Sequence, residues 1–493
     1  METFDSMLPL LACLAPLLAV PAIVAIGERS PNVREGVTVL TGFVVLLAVL
    51  SMLKLVIDGN ILRFTFIEVL PGVAIEFRVD GLGILFALVA SSLWILTSIY
   101  TAGYMRGAHE INQTRFFAFF AVSISATLGV AFSGNLFTLY LFYEVLSLST
   151  WPLVTHHGDK EARTGGRTYL TYLMATSIGF ALPAMIYTYV KSGGSLDFTV
   201  VGVLGQSLTG VEASVLLLLF VFGFSKAGVM PFHSWLPGAM VAPTPVSALL
   251  HAVAVVKVGV FCILRVFTGV FGVDLIGELD AATAVSWIAG TTVLVSSLIA
   301  LSQDNLKRRL AFSTIGQLSY IVLGVSLLSE YAVQGSMMHI AMHAFGKITL
   351  FFCAGAIYVA CGKKYVSQLD GIGKAMPFTM GAFAIGAMSV TGLPPTGGLL
   401  SKIYLVWGAA DVGEYALLAI FFVSTILNGA YFFPIVYRAF FHSPPEGEAP
   451  IEGIKEAPFA CVFPLCLTAI ASVLLFFFPD FLLELTRLIF GAK

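Results

Sequence analysis

Apolar residues run through this chain in long blocks separated by short polar joints. About 20 predominantly apolar residues let a helix cross a hydrocarbon layer roughly 30 Å thick. Such blocks run approximately from 7 to 26, 36 to 57, 80 to 104, 114 to 132, 135 to 155, 166 to 190, 212 to 230, 245 to 271, 282 to 302, 310 to 329, 332 to 361, 376 to 409, 415 to 441 and 457 to 478. They predict an all-α polytopic membrane protein with fourteen crossings, ending in a short amphipathic piece around Phe481 to Ile489. The first block has the length of a secretory signal. Glu2 and Asp5 stand where such a signal is basic, so it reads as a retained helix. Between the second and third blocks, alternation in RFTFIEV and VAIEFRVD predicts an extramembrane β-hairpin over Asn60 to Asp80, the only β signal of any strength.

Two blocks carry internal breaks. The seventh contains SKAGVMPF with Gly228 and Pro231, and the twelfth contains VTGLPPTGG with Pro394 and Pro395. Proline removes a backbone donor and clashes with the preceding turn, so both helices should be discontinuous. The breaks lie five blocks apart, each beside a lysine, Lys226 or Lys402. An odd offset inverts orientation, so helices 4 to 8 and 9 to 13 read as an inverted repeat of the kind that frames a midplane site in transporters. The domain division is then an N-terminal part with the hairpin (1–113), a first five-helix repeat (114–271), a second (272–442), and the last helix with a short tail (443–493).

Composition excludes a soluble globule: 58% of the 493 residues are hydrophobic, only 11% are charged, and the mean hydropathy is +0.94. A net charge of −2 gives no support to nucleic-acid binding, and neither a phosphate loop nor a dinucleotide fingerprint is present. The six cysteines stand singly in apolar runs, without metal-ligand or disulfide spacing. The basic residues set an orientation. Four of the 26 Lys and Arg fall inside the membrane, fifteen on one face, and seven, including Lys493, on the face that also carries both termini. The positive-inside rule places the richer face in the cytoplasm of a cell inner membrane and both termini outside.

Charges inside the blocks point to function. Glu144 sits in NLFTLYLFYEVLSLSTWPLV, Lys226 in VLLLLFVFGFSKAGVMPF, Lys257 in LLHAVAVVKVGVFCIL, Lys347 in MMHIAMHAFGKITLFFCAGA and Lys402 in SVTGLPPTGGLLSKIYLV. Each costs roughly 2.5 to 3.5 kcal/mol at the bilayer centre, and such groups by default mark an ion or proton path. His339, His343 and Lys347 recur every four residues, which sets them on one helix face about 6 Å apart. His251 precedes Lys257 by six residues, on a different face, and is a further candidate; His233 reads as interfacial. A structural alternative exists for each: Glu144 as a hydrogen-bonding partner, Lys257 as a snorkelling side chain.

FYEVLSLSTWPLV, SKAGVMPFHSWLPGAMVAPTPVSALLHAVAVVKVGVF, RRLAFSTIGQLSYI and LPPTGGLLSKIYL closely resemble the antiporter-like proton-translocating family, which comprises subunits of Mrp-type Na+/H+ antiporters, of respiratory complex I and of membrane-bound hydrogenases. The resemblance covers about residues 75 to 440. It implies fourteen helices with the seventh and twelfth broken, and a mid-membrane hydrophilic axis through Glu144, Lys226, Lys257 and Lys402. A lysine rather than a glutamate at Lys402 resembles the Mrp D and A subunits and the distal subunit of complex I. The long lateral helix of that distal subunit has no counterpart after the last block, so the expectation is a D-like Mrp subunit or a homologue in a related complex.

The expected mechanism needs no cofactor and no metal. Desolvation favours a neutral amine and a nearby carboxylate favours the ammonium, so a movable Glu144–Lys226 contact loads and unloads a proton. Lys257 is then the central carrier, His339, His343 and Lys347 the lateral relay, and Lys402 the terminal site. The expected partners are other membrane subunits, protons, lipid and Na+, although the few carboxylates outline no sodium cage. The alternatives are a pumping subunit of a redox-driven complex, with all redox catalysis in partner chains, the proton-coupled partner of an inorganic-carbon uptake system, or a scaffold, which would not need five intramembrane charges.

Overall fold

The computed structural model describes residues 3–205, 208–444 and 453–490; Glu2 and Lys493 lie outside them. Most of the chain is helix, and short helices also occur at Trp235–Gly238, Val273–Glu278 and Ile372–Ala375 between the longer ones. In order these are α1 (Leu8–Ile26), α2 (Pro31–Ile57), α3 (Gly81–Gly107), α4 (Gln113–Ala131), α5 (Leu136–Val154), α6 (Lys160–Lys191), α7 (Gly210–Gly223), α8 (Thr244–Phe271), α9 (Thr283–Ser302), α10 (Leu306–Ser326), α11 (Glu330–Cys361), α12 (Pro377–Thr391), α13 (Gly398–Asp411), α14 (Tyr415–Phe441), α15 (Phe459–Phe477) and α16 (Asp480–Arg487). Among the described residues ten helices, α1 to α4, α6, α8, α9, α11, α14 and α15, are long and apolar enough to cross a membrane. Polar caps set several helix starts: the side chains of Asp80, Asn135 and Asp159 each accept from a backbone N–H three residues on, and Thr209 with Glu212 forms a capping box ahead of α7.

Burial separates the helices that face lipid from those that carry the site. The most apolar part of α2 is 28% buried, whereas that of α8 is 100% buried. Leu18 and Leu47 of the first two helices stand exposed, as expected where lipid replaces water and exposed apolar surface costs nothing. The hairpin forms from β2 (Ile61–Leu70) and β3 (Val73–Val79), and a strand the pattern did not reveal, β1 (Thr3–Asp5), adds to β2 in parallel. Three residues are too few for alternation to register. At the other end of the chain, α16 packs on Gly81 at the start of α3, so the first and last described segments share one face.

The breaks differ in detail from the sequence reading. The seventh block ends as helix at Gly223, eight residues before Pro231; a 3-10 turn at Ser225–Ala227 follows and no second half-helix resumes before Trp235. Gly223 lies against the backbone of Ala181, where a side chain would collide. The twelfth block breaks between Thr391 and Gly398, around Pro394 and Pro395, with Gly392 at a φ of +87° as the left-handed C-cap of α12. An interruption that the apolar run concealed lies in α8, which is π-helical over Leu249–Val253 and over Val266–Phe271. Such π segments are frequent at functional sites.

One glycine holds the first break against α8. A Cβ on Gly259 would strike the backbone of Ala227 and Lys226, so only glycine lets the 3-10 turn lie on this helix. Overpacking of this kind costs about 1–3 kcal/mol. Gly259→Ala is therefore expected to lower the thermal midpoint of the detergent-solubilised protein, measured by fluorescence of its tryptophans. An unchanged midpoint would mean that this contact does not set the break.

Candidate functional site

Lys226 sits in the 3-10 turn of the first break and is fully buried. Its ammonium donates to the Tyr143 carbonyl at 2.8 Å and to the Ser147 hydroxyl at 2.6 Å, and lies 3.0 Å from the centre of the Tyr143 ring. All three partners belong to α5, the helix that carries Glu144. Glu144 itself is not bonded to Lys226: both of its carboxylate oxygens are shielded yet have no hydrogen-bond partner. Its neighbours Val145 and Leu148 point outward, so this carboxylate stands at the edge of the molecule. The structure thus sets the lysine against the short stretch of α5 that carries the glutamate, with the two side chains unpaired.

Beyond Gly259 the polar groups form a line. Lys257 Nζ is hydrogen-bonded to His343 Nδ1 at 2.7 Å, and the His343 and His339 rings stack in parallel, 5.6 Å between centres with 10° between planes. His339 bonds Ser401 through Nδ1 at 2.8 Å and Gln317 through Nε2 at 3.1 Å. Ser401 is followed by Lys402, which crosses Gly392 and donates to the carbonyls of Val390 and Thr391, each at 2.9 Å. Those carbonyls are left free by the end of α12, where a cation also complements the helix dipole. The break and the lysine are therefore one unit, because the ammonium caps the half-helix that the prolines interrupt. The Lys402 ammonium also sits 4.7 Å from the centre of the Tyr320 ring, which in turn stacks on His339 at 5.8 Å.

Lys347 shares the helix face of the histidines but leaves this line. It donates to Ser313 Oγ at 2.8 Å, and Tyr431 donates to the same hydroxyl at 3.0 Å while also bonding Asn428. The order is thus Lys257, His343, His339, Ser401, Lys402, with Lys347 on a branch toward α10 and α14. His251 lies in the π segment with neither ring nitrogen bonded and its ring 4.8 Å from that of Phe351, facing α11 rather than Lys257. His233 is half-buried, 6.4 Å from the Phe312 ring. A cavity of about 260 Å³ opens on the basic face, lined among others by Tyr104, Glu110, His157, Thr244 and Lys307. There Glu110 bonds His157 at 3.1 Å and holds that imidazole above its usual pKa.

Ser147, Tyr143, Gln317, Ser401 and Ser313 escaped the sequence reading. Each is a neutral polar residue in an apolar block, and the signal was there in Gln317, an amide too costly to bury unpaired. The serines carry less signal, since a hydroxyl can bond its own helix backbone. The bond from Lys257 makes His343 the first step of any lateral transfer. His343→Ala is expected to cut proton transport in vesicles by about a hundredfold, the lower end of what a positioned acid or base contributes. Undiminished transport by a normally assembled variant would reduce His343 to packing.

A family described as NADH:quinone oxidoreductase/Mrp antiporter, transmembrane region, matches residues 133–428, from before α5 into α14. The chain belongs to this family. The matched region contains Glu144, Lys226, His251, Lys257, His339, His343, Lys347 and Lys402. The N subunit of the NADH-quinone oxidoreductase of Desulforudis audaxviator is 31% identical over 488 residues, covering 96% of this chain and 96% of that protein. The A/B subunit of a probable K+/H+ antiporter of Rhizobium meliloti is 34% identical over 356 residues, covering 70% of this chain but only 34% of its own length. The A subunit of the Na+/H+ antiporter of Alkalihalophilus pseudofirmus is 31% identical over 414 residues, 79% of this chain and 50% of that protein. The chain therefore spans nearly all of the first relative but half or less of the two antiporter subunits. In fold, it superposes on a chain of the Mrp complex from Dietzia sp. DQ12-45-1b with a TM-score of 0.85 at 21% identity, covering 99% of this chain and 97% of that one. A chain of the archaeal membrane-bound sulfane sulfur reductase matches with a TM-score of 0.86 at 22% identity, covering 98% of each.

Proposed function

We propose that this chain is the proton-translocating subunit of a multi-subunit Mrp-type cation/proton antiporter. The observation that carries the reading is the buried line Lys257–His343–His339–Ser401–Lys402, flanked by Lys226 and the unpaired Glu144. A scaffold has no use for ammonium groups held on carbonyls and an imidazole in the membrane interior, where each unpaired charge is costly. In this proposal Glu144 and Lys226 are the coupling pair and Lys257 the central carrier. The two histidines relay to the terminal Lys402, while Lys347 and His251 adjust the field around the carrier. The cavity at Glu110 and His157 admits water from the basic face.

The proposal extends to topology. Fourteen crossings, ten of them in two inverted five-helix units, 114–271 and 272–442, account for two breaks with one lysine each and for first and last segments on one face. With the basic face in the cytoplasm, both termini lie outside a cell inner membrane. The other membrane subunits of the complex would supply any pathway for Na+ or K+.

A second reading rests on the relative of nearly equal length, which belongs to a quinone oxidoreductase. In that case an electron-transfer arm in partner chains drives the same proton path. One experiment separates the two. The complex is isolated from its native membrane through a tag on this chain, and inverted vesicles carrying it are tested with Na+, K+ and electron donors. A cation-dependent collapse of a pH gradient, with no flavin or iron–sulfur chain co-purifying, supports the antiporter. Gradient formation on adding an electron donor overturns it in favour of the redox pump.

A further inference from the structure

Between α5 and α6, away from the polar line, a groove of about 560 Å³ opens on the outer surface of the molecule. Its rim carries Arg163 and Arg167, one helical turn apart and both exposed; neither guanidinium has a hydrogen bond or ion pair with any described residue. Farther along the same stripe of α6, Leu170, Thr171 and Met174 continue the wall inward. The opposite wall is Trp151, which is 41% exposed and packs against Gly166, where a Cβ would come within 3.3 Å of its indole nitrogen. The groove is thus graded along its length: two free cations and an indole where α5 ends and α6 begins, then apolar side chains toward the membrane interior.

We propose that this groove is a binding site for one anionic phospholipid. Both guanidinium groups present planar paired donors suited to a phosphate, and they stand at the level where a tryptophan marks the membrane–water interface. The apolar continuation takes the acyl chain, which free phosphate would leave uncovered. A zwitterionic headgroup carries its own cation against the two arginines, so charge favours the anionic lipid. Basic pockets between membrane helices have this headgroup preference. The site has a further consequence through α5: Trp151 and Glu144 are seven residues apart, two turns on one helix face, so the lipid lies along the face that carries the unpaired carboxylate.

The test uses the intact complex in mixed micelles with an acyl-chain photoactivatable phosphatidylglycerol. Labelling is expected on the peptides containing Trp151 and Leu170 to Met174, competed by unlabelled phosphatidylglycerol and poorly by phosphatidylcholine. Arg163→Gln with Arg167→Gln should reduce that preference by about thirtyfold, from the usual contribution of two basic side chains at an anionic surface. Arg308→Gln with Lys374→Gln removes the same charge elsewhere on the basic face and should leave labelling intact. Equal competition by the two lipids in the wild-type complex overturns the proposal, with no variant required. So does absence of label where these peptides instead cross-link to another membrane subunit, because a protein then fills the groove.

Discussion

Lys257→Met is expected to abolish proton translocation while leaving the subunit folded and in its complex. Lys257 is fully buried and its ammonium has one hydrogen-bond partner among the described residues, His343. Methionine matches the aliphatic stem and removes a charge whose burial is itself unfavourable, so folding has little to lose. Transport has everything to lose, because the link between the Lys226 region and the histidine pair disappears. A loss of roughly two to four orders of magnitude is the ordinary worth of a positioned proton carrier. Lys257→Arg separates the two roles a lysine can play. A guanidinium keeps the positive charge but does not release its proton, so it should also fail if Lys257 carries protons. Quenching of a pH-sensitive dye in inverted vesicles, with the amount of protein checked on the same membranes, reads both variants. Normal transport with arginine would show that a fixed charge is all the site requires.

The class of this protein was legible in its hydrophobic blocks, and the charged positions in them were legible one by one. Their connections were not. Spacing of four placed His339, His343 and Lys347 on one face, and the two rings do stack there. Periodicity on one helix says nothing about what the neighbouring helices present. Ser313 and Tyr431 draw Lys347 aside, and Ser401 receives His339. The position of the first break was obscured for a related reason. Pro231 is visible in the sequence, but the helix yields earlier, where Gly223 and Gly259 let backbones approach closely. Proline marks where a helix cannot continue, and tertiary contact decides where it stops. The π segments of α8 left no trace in the apolar pattern, since His251 and Thr268 alone interrupt it there and the other residues remain apolar and buried. In Lys402 the sequence signal and the structure coincide most closely: a lysine eight residues after Pro394 returns to cap the carbonyls that the prolines free.

Glu144→Gln should leave assembly intact and stop transport. The carboxylate has two shielded oxygens without partners, a state whose cost is relieved only by a proton, by water, or by a cation that arrives from elsewhere. Lys226 is a candidate within the chain, since it already grips Tyr143 and Ser147 on either side of Glu144. A small movement of the 3-10 turn would exchange the Tyr143 carbonyl for the carboxylate and hold Lys226 charged. Reversal would free that proton toward Lys257. A cation from an adjoining chain could compete for the same carboxylate, because Glu144 lies next to the exposed Val145 and one turn before the exposed Leu148. That competition is how occupancy next door would be felt in this chain. Glutamine preserves shape and hydrogen bonding but attracts neither Lys226 nor a cation from an adjoining chain, so transport should fall to the vesicle background. Glu144→Asp keeps the charge on a shorter arm and should retain part of the activity. The measurement is formation or dissipation of a pH gradient in inverted vesicles, with protein content determined by immunoblot. Wild-type transport in the glutamine variant would remove Glu144 from the mechanism. Equal loss of protein in both variants would assign it to folding, since a buried carboxylate that matters only for structure has no reason to distinguish aspartate from glutamine in transport alone.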